Sequence, residues 1–196
     1  MGGPVARERS HRLDPAIVER ARGGDGEAFA AIVRDRMDAV YRLSLAILDD
    51  DADARDATQE TFVAAWRQIR SLREVDRFDA WLQRIAVNRA RMTLRGRRRR
   101  QVREIASDDV ARLAADGDVA MSSGGAPTAD DDGERVGRAM ARLSVEQRTI
   151  LALHHLEGHG LAEIADVLGI PVGTVKSRLF TARRELERAM VAEAAR

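Results

Sequence analysis

The sequence has no cysteine, few aromatic residues and no long hydrophobic run, and each absence excludes a class of function. Zero cysteines exclude disulfides, thiolate metal ligands and cysteine nucleophiles. No apolar run approaches the about 18 residues that a transmembrane helix needs, and the arginine-containing first residues are followed by no signal-peptide core. No phosphate-binding glycine loop, nucleophile elbow or catalytic carboxylate pair is present. We therefore expect a cytoplasmic protein that is not an enzyme and needs no cofactor.

The net charge of +1 conceals a strong segregation of charge along the chain. Residues 49–60 carry six acids and one arginine, a local charge of −5. Residues 77–103 carry ten arginines and one acid (+9), whereas residues 104–134 carry nine acids and one arginine (−8). The near-neutral total alone would argue against a nucleic-acid binder, but a basic segment of this density is typical of contact with phosphates, so the distribution of charge favours one.

Apolar spacing of three and four residues along most of the chain predicts an all-α protein with two small helical domains. Asp14 before Pro15, Asp25, and Ser144 with Gln147 three residues later are helix-start signals. A basic helix is expected over 78–100. The Ser/Gly/Ala/Asp-rich stretch 121–133 has no apolar period, so we expect a flexible acidic linker between the domains.

Residues 161–179 have the pattern of a helix-turn-helix. A short apolar helix ends at Gly169, a residue suited to the left-handed turn conformation, and a second helix begins at once. In that helix Val175 and Leu179 fall on the apolar side, and short polar or cationic groups face away from it: Thr174, Lys176, Ser177 and Arg178. Such groups suit contact with base edges in the major groove.

A polar stripe also follows the basic helix, opposite Phe78, Leu82, Ile85 and Met92. Its members are spaced i, i+4, i+7 and i+11: Arg84, Asn88, Arg91 and Arg95. Arginines there can hold phosphates, and an asparagine among them can read a base edge. Trp66, Phe78 and Trp81 can stack on unpaired bases, but the spacing of Trp66 and Phe78 favours packing in the core.

Two patterns suggest a metal and are better explained without one. Asp49, Asp51, Asp53 and Glu60 match positions 1, 3, 5 and 12 of a calcium loop, yet Ala54 stands where the loop needs glycine. Asp at a helix start is explained by the helix dipole. Three clustered histidines, 154, 155 and 159, are interrupted by Gly158 and lack further ligands. We expect no metal site. A calcium-binding helical protein is therefore the least favoured of the functions considered.

Two segments of the chain resemble bacterial RNA polymerase sigma factors of the extracytoplasmic-function (ECF) group. The segments 53–66 (DARDATQETFVAAW) and 78–88 (FDAWLQRIAVN) are similar to the first conserved sigma domain, and 143–178 to the second DNA-reading domain. The resemblance implies an N-terminal tail over 1–13, sigma domain 2 over 14–104, a linker over 105–133 and sigma domain 4 over 134–196.

The resemblance also implies partners and roles. Asp56, Gln59 and Glu60 would contact the clamp coiled coil of the largest subunit of core RNA polymerase, with Phe62 in the core. The arginine stripe with Asn88 would hold the −10 element of promoter DNA and capture a flipped base. The helix-turn-helix would read the −35 element and pack on the flap of the second-largest subunit. An anti-sigma factor is the further partner implied.

Two hypotheses remain open from the sequence. The runner-up function is a stand-alone helix-turn-helix regulator that dimerises through its N-terminal helices and binds a palindrome. The second hypothesis concerns the acidic linker, which follows the basic helix closely enough to shield it from stray DNA in the free protein.

Overall fold

The computed structural model describes residues 13–111 and 131–194, and within them the chain is helical without strands. The N-terminal unit contains α1 (Pro15–Arg22), α2 (Gly26–Leu48), α3 (Asp51–Gln68) and α4 (Phe78–Ala111). Two 3-10 turns, Ile69–Ser71 and Val75–Arg77, connect α3 to α4. The C-terminal unit contains α5 (Asp131–Ala141), α6 (Val145–His155), α7 (Leu161–Leu168) and α8 (Val172–Ala194). This confirms the all-α prediction.

The helices begin where the sequence places capping side chains. The Asp14 carboxylate accepts from the Ala16 amide, and the Asp25 carboxylate accepts from two amides at the start of α2. Ser144 and Gln147 form the predicted capping box, with 2.9 Å from the Ser144 amide to Gln147 Oε1. These side chains accept from amides that have no partner within their helix.

Helical structure extends into both ends of the predicted linker. Helix α4 continues to Ala111 rather than ending near residue 100, and α5 already begins at Asp131. Residues 97–111 contain no glycine or proline, so nothing in the sequence interrupts the helix. The rest of the expected linker, 112–130, and nearly all of the expected tail, 1–12, lie outside the described residues.

The buried apolar side chains of both units form one contiguous cluster. In the N-terminal unit α2 is the central helix and packs on α1, α3 and α4, and in the C-terminal unit α8 packs on α5, α6 and α7. The units meet where α2 packs on α6 and α4 packs on α7. None of the described helices has an apolar stretch long enough to cross a membrane.

Candidate nucleic-acid interface

Helix α4 presents the predicted polar stripe to solvent. Arg84, Asn88 and Arg95 are exposed, and Arg91 is half-buried. The opposite side of the helix is buried in the core through Leu82, Ala86, Val87 and Ala90. The helical period therefore separates a core face from a continuous cationic face that contains one amide side chain.

Two sets of ion pairs position α4. Near its start, Arg36 of α2 donates to both carboxylate oxygens of Asp79, at 2.8 and 3.2 Å. Further along, Arg97 pairs with Asp50 and Asp53 at the start of α3. The bidentate geometry of the first pair gives α4 a defined orientation on the N-terminal unit.

A cleft of about 330 Å³ opens between the 3-10 turns and the first turns of α4. The lining from the N-terminal unit contains three aromatic or apolar side chains and three arginines. Its members are Ser71, Leu72, Arg73, Glu74, Arg77, Ala80, Trp81 and Arg84. Trp81 is half-buried beside Phe78, with ring centroids 5.7 Å apart. Asp166 of α7 contributes one wall from the other unit.

Helical periodicity predicted burial for two apolar side chains that the structure leaves largely exposed. Trp66 is 42% exposed, although it stays in contact with the Phe29 ring at 4.9 Å between centroids, and Met92 is 51% exposed. Periodicity gives the side of a helix on which a residue lies, but the core does not extend far enough to cover either residue. Phe62 and Phe78 are buried, as their spacing predicts.

Helices α7 and α8 form the predicted helix-turn-helix. Gly169 ends α7 in the left-handed conformation (φ 66°), which lets α8 begin after only a short turn. Val175, Leu179 and Ala182 are buried, whereas Lys176, Ser177 and Arg178 are exposed and Thr174 is half-buried. The Ser177 hydroxyl donates to the Thr174 carbonyl at 3.0 Å, and Arg178 lies 3.7 Å from Glu146.

Phe180 is a surface residue that the sequence analysis missed. It is 63% exposed on α8, and the Arg184 guanidinium lies over its ring at 5.8 Å. Helical periodicity could have predicted its exposure, because at 100° per residue position 180 lies on a different side of the helix from Val175, Leu179 and Ala182. An exposed aromatic ring beside Arg178 and Ser177 adds an apolar contact to an otherwise polar surface.

Helix α3 carries the predicted docking residues on a surface of its own. Asp56, Gln59 and Glu60 are exposed, and Glu60 lies 3.9 Å from Arg89 of α4. The same side of α3 continues into exposed Val63 and Trp66. This surface is acidic at one end and apolar at the other, which suits a protein partner better than DNA.

The acids that resembled a calcium loop are held by other protein groups. Asp51 and Asp53 lie within helix α3, so they cannot wrap around an ion as a loop does. The Tyr41 hydroxyl and Arg55 bind Asp51, and these contacts lower the pKa of its carboxyl below the ordinary value. In the described part of the chain, no set of three or more His, Asp and Glu side chains converges in a metal-binding arrangement.

Comparison with known proteins relates both units to transcription initiation. Residues 32–100 match the family described as Sigma-70 region 2, and residues 133–186 match Sigma-70, region 4. The chain is 32% identical to the RNA polymerase sigma-H factor of Pseudomonas aeruginosa over 182 residues, which cover 90% of this chain and 93% of that protein. It is 35% identical to the ECF RNA polymerase sigma-E factor of Haemophilus influenzae over 180 residues, covering 89% and 93%.

A solved structure agrees with these relatives. CnrH, in complex with the cytosolic domain of CnrY, superposes with a TM-score of 0.66 and 28% identity, covering 91% of this chain and 97% of CnrH. Both matched regions are sigma-factor regions, and nothing in the comparisons supports the stand-alone regulator. The chain belongs to the ECF group of sigma factors, the non-enzymatic initiation factors that direct RNA polymerase to promoters.

Proposed function

We propose that this sigma factor reads promoters through two surfaces, the polar stripe of α4 for the −10 element and the outer face of α8 for the −35 element. The observation that carries the proposal is the stripe itself: Arg84, Asn88, Arg91 and Arg95 lie along one side of a helix whose other side is buried. Residues 14–104 then act as sigma domain 2 and residues 134–196 as sigma domain 4.

At the −10 element the cationic stripe holds the phosphates of one strand, and Asn88 reads a base edge. The cleft beside Trp81 lies at the start of the same stripe, and its volume of about 330 Å³ is at the small end of ligand pockets, suited to one extruded base. Trp81 offers the aromatic surface on which such a base can stack.

At the −35 element α8 enters the major groove with its first turns. Lys176 and Arg178 flank Ser177, so cationic donors stand on both sides of a short hydroxyl group. Thr174 lies one turn earlier, near the start of the helix. This arrangement places phosphate-binding and base-reading groups together on one exposed surface.

The surface on α3 docks the chain on core RNA polymerase. Asp56, Gln59 and Glu60 are exposed, and their acidity suits a basic surface such as the clamp coiled coil of the largest subunit. The C-terminal unit packs on the flap of the second-largest subunit. When both units are held on polymerase, the distance between the two DNA readers is constrained, so promoter spacing contributes to specificity.

An anti-sigma factor is the further partner that we propose. CnrH was solved with the cytosolic domain of CnrY, and a Bartonella quintana sigma factor with its anti-sigma factor NepR. Since the present chain has no cysteine, any thiol-based control has to reside in the partner. Because polymerase and promoters are its targets, we expect the chain to act in the cytoplasm.

The test is transcription of genomic DNA fragments by purified core polymerase from the source organism, with and without this chain. We expect new transcript start sites that depend on the chain and share two upstream elements at constant spacing. Triple substitution of Arg84, Asn88 and Arg95 by alanine removes these starts while the variant still binds polymerase. Start sites unchanged by the addition of the chain contradict the proposal.

A further inference from the structure

We propose that the C-terminal unit inhibits the −10 surface of its own chain, with Asp166 of α7 occupying the place beside Arg77 that a DNA phosphate takes. The inference rests on the proposed function, because it assumes that the cleft receives promoter DNA. It adds a regulatory contact within the chain that is separate from any anti-sigma partner.

The first support is the position of Asp166. Its carboxylate lies 3.3 Å from the Arg77 guanidinium and forms one wall of the cleft that contains Trp81 and Arg84. Glu74 of the same unit already pairs with Arg77 at 2.7 Å, so Asp166 brings a second carboxylate to this arginine and repels an incoming phosphate. Both side chains are 64% exposed, and exposed pairs of this kind are weak, so the contact can open.

The second support lies at Gln83, the residue before Arg84. Gln83 is buried under the C-terminal unit, where its amide nitrogen donates to Glu157 at 2.9 Å and its amide oxygen lies against the His159 ring. Glu157 and His159 belong to the turn between α6 and α7, which bends at Gly158 (φ 74°). This turn therefore anchors α7 beside the start of the −10 stripe.

The Glu157 carboxylate does not have all its hydrogen-bond partners in the contact between the units, which favours separation of the two units. Glu157 Oε1 is buried and has no hydrogen-bond partner in the described structure. Burial raises the pKa of the Glu157 carboxyl, and Asp79 adds to the rise, while Arg42, Arg36 and the Gln83 bond oppose it. Closing the units thus desolvates a carboxylate, and opening them returns it to water.

The inhibition covers only part of the DNA-binding surface. Arg84 Nη2 lies 3.6 Å from the point where a Cβ on Gly169 would stand, so the turn of the helix-turn-helix packs against the first arginine of the stripe. Asn88 and Arg95 remain exposed, as do Lys176 and Ser177 of α8. The closed units therefore obstruct the cleft for an unpaired base more than they obstruct contact with duplex DNA.

The experiment compares the full-length chain with its Asp166→Asn variant, using a short fluorescein-labelled single strand of mixed sequence and fluorescence anisotropy at low salt. Glu187→Gln is the matched control, because it removes an exposed acid from the same unit at a distance from the cleft. We expect Asp166→Asn to tighten single-strand binding about two- to fivefold beyond the control, with a smaller effect on duplex DNA. In an Arg77→Gln background the same substitution should give no gain beyond the control.

Opening is measured separately by spin labels on Arg34→Cys in α2 and Ala162→Cys in α7, both exposed positions in a chain without cysteine. We expect a single narrow distance distribution for the free chain and a broader distribution, shifted to longer distances, with Asp166→Asn or with added single strand. Equal affinities and equal distances for the two acid variants overturn the inhibition, even where the wild-type chain supports transcription. Absence of chain-dependent transcription, together with the expected tightening of single-strand binding by Asp166→Asn, instead contradicts the proposed function.

Discussion

Arg97, in the most basic part of α4, forms ion pairs with Asp50 and Asp53 at the start of α3, with 3.1 Å between Arg97 Nη2 and Asp50 Oδ2. The acidic segment 49–60 (local charge −5) and the basic segment 77–103 (local charge +9) thus contact each other inside the N-terminal unit. This arginine joins two helices, although its neighbours in sequence suggest a phosphate contact. The net charge of +1 is therefore compatible with DNA binding, because part of the positive charge is used within the protein.

Arg97→Ala should destabilise the fold by about 1 kcal/mol, because two partly buried carboxylates lose their shared cation. Urea unfolding followed by circular dichroism measures the loss. Arg95→Ala is the comparison, since its exposed side chain should matter for DNA affinity and little for stability. An Arg97→Ala variant as stable as Arg95→Ala would show that the ion pairs contribute nothing.

Asn88→Ala should lower holoenzyme affinity for its preferred −10 sequence by about 1–3 kcal/mol and relax the preference at one base position. Arg91→Ala should weaken binding to all sequences alike and reduce the salt dependence by about one phosphate contact. Binding to fork-junction DNA with each −10 base varied in turn separates the two effects. A uniform loss for Asn88→Ala would assign it to phosphate contact instead.

Asp56→Asn combined with Glu60→Gln should weaken binding to core polymerase about fivefold or more, with the loss shrinking at high salt. Both side chains are exposed, so the unfolding transition should not move. Titration of labelled chain with core polymerase gives the affinity. Asp38→Asn, an exposed acid on α2, serves as control; an equal effect there would mean that net charge alone matters.

Phe180→Ala should weaken binding to −35 duplex DNA by about 1 kcal/mol, because an exposed ring on the outer face of α8 can contact a thymine methyl group. Val191→Ala is the matched control, since Val191 is an equally exposed apolar residue on the same helix. Thermal unfolding should be unchanged in both variants. Identical DNA affinities for the two would remove Phe180 from the proposed interface.

Glu157→Gln should raise the free energy of unfolding at about pH 7. Burial raises the pKa of this carboxyl, so the folded chain binds its proton more tightly than the unfolded chain does. Its ionised form therefore destabilises the fold at neutral pH, and this penalty disappears as the pH falls through the raised pKa. The advantage of the variant over wild type should shrink toward about pH 5. A constant difference across that range in urea unfolding would contradict this sign.

The helix starts were predictable because capping is local. Asp14, Asp25 and the Ser144–Gln147 pair each satisfy amides within three residues, so their effect does not depend on the rest of the fold. The exposed stripe of α4 was also predictable, because helical periodicity separates its faces. The C-terminal end of α4 was not predictable, since only the acidity of 104–111 suggested an end to the helix, and acidic residues can still form a helix.

By itself the sequence determined which residues share a helix face, where the chain turns at Gly169, and, through its motifs, the sigma-factor family. Only the tertiary structure decided which faces are covered. It left Trp66 partly exposed, paired Arg97 with the start of α3, and placed Gln83 and Arg77 against Glu157 and Asp166 of the other unit. The physical reason is that periodicity and capping act over one or two turns, whereas burial and ion pairing between distant helices depend on how the whole chain packs.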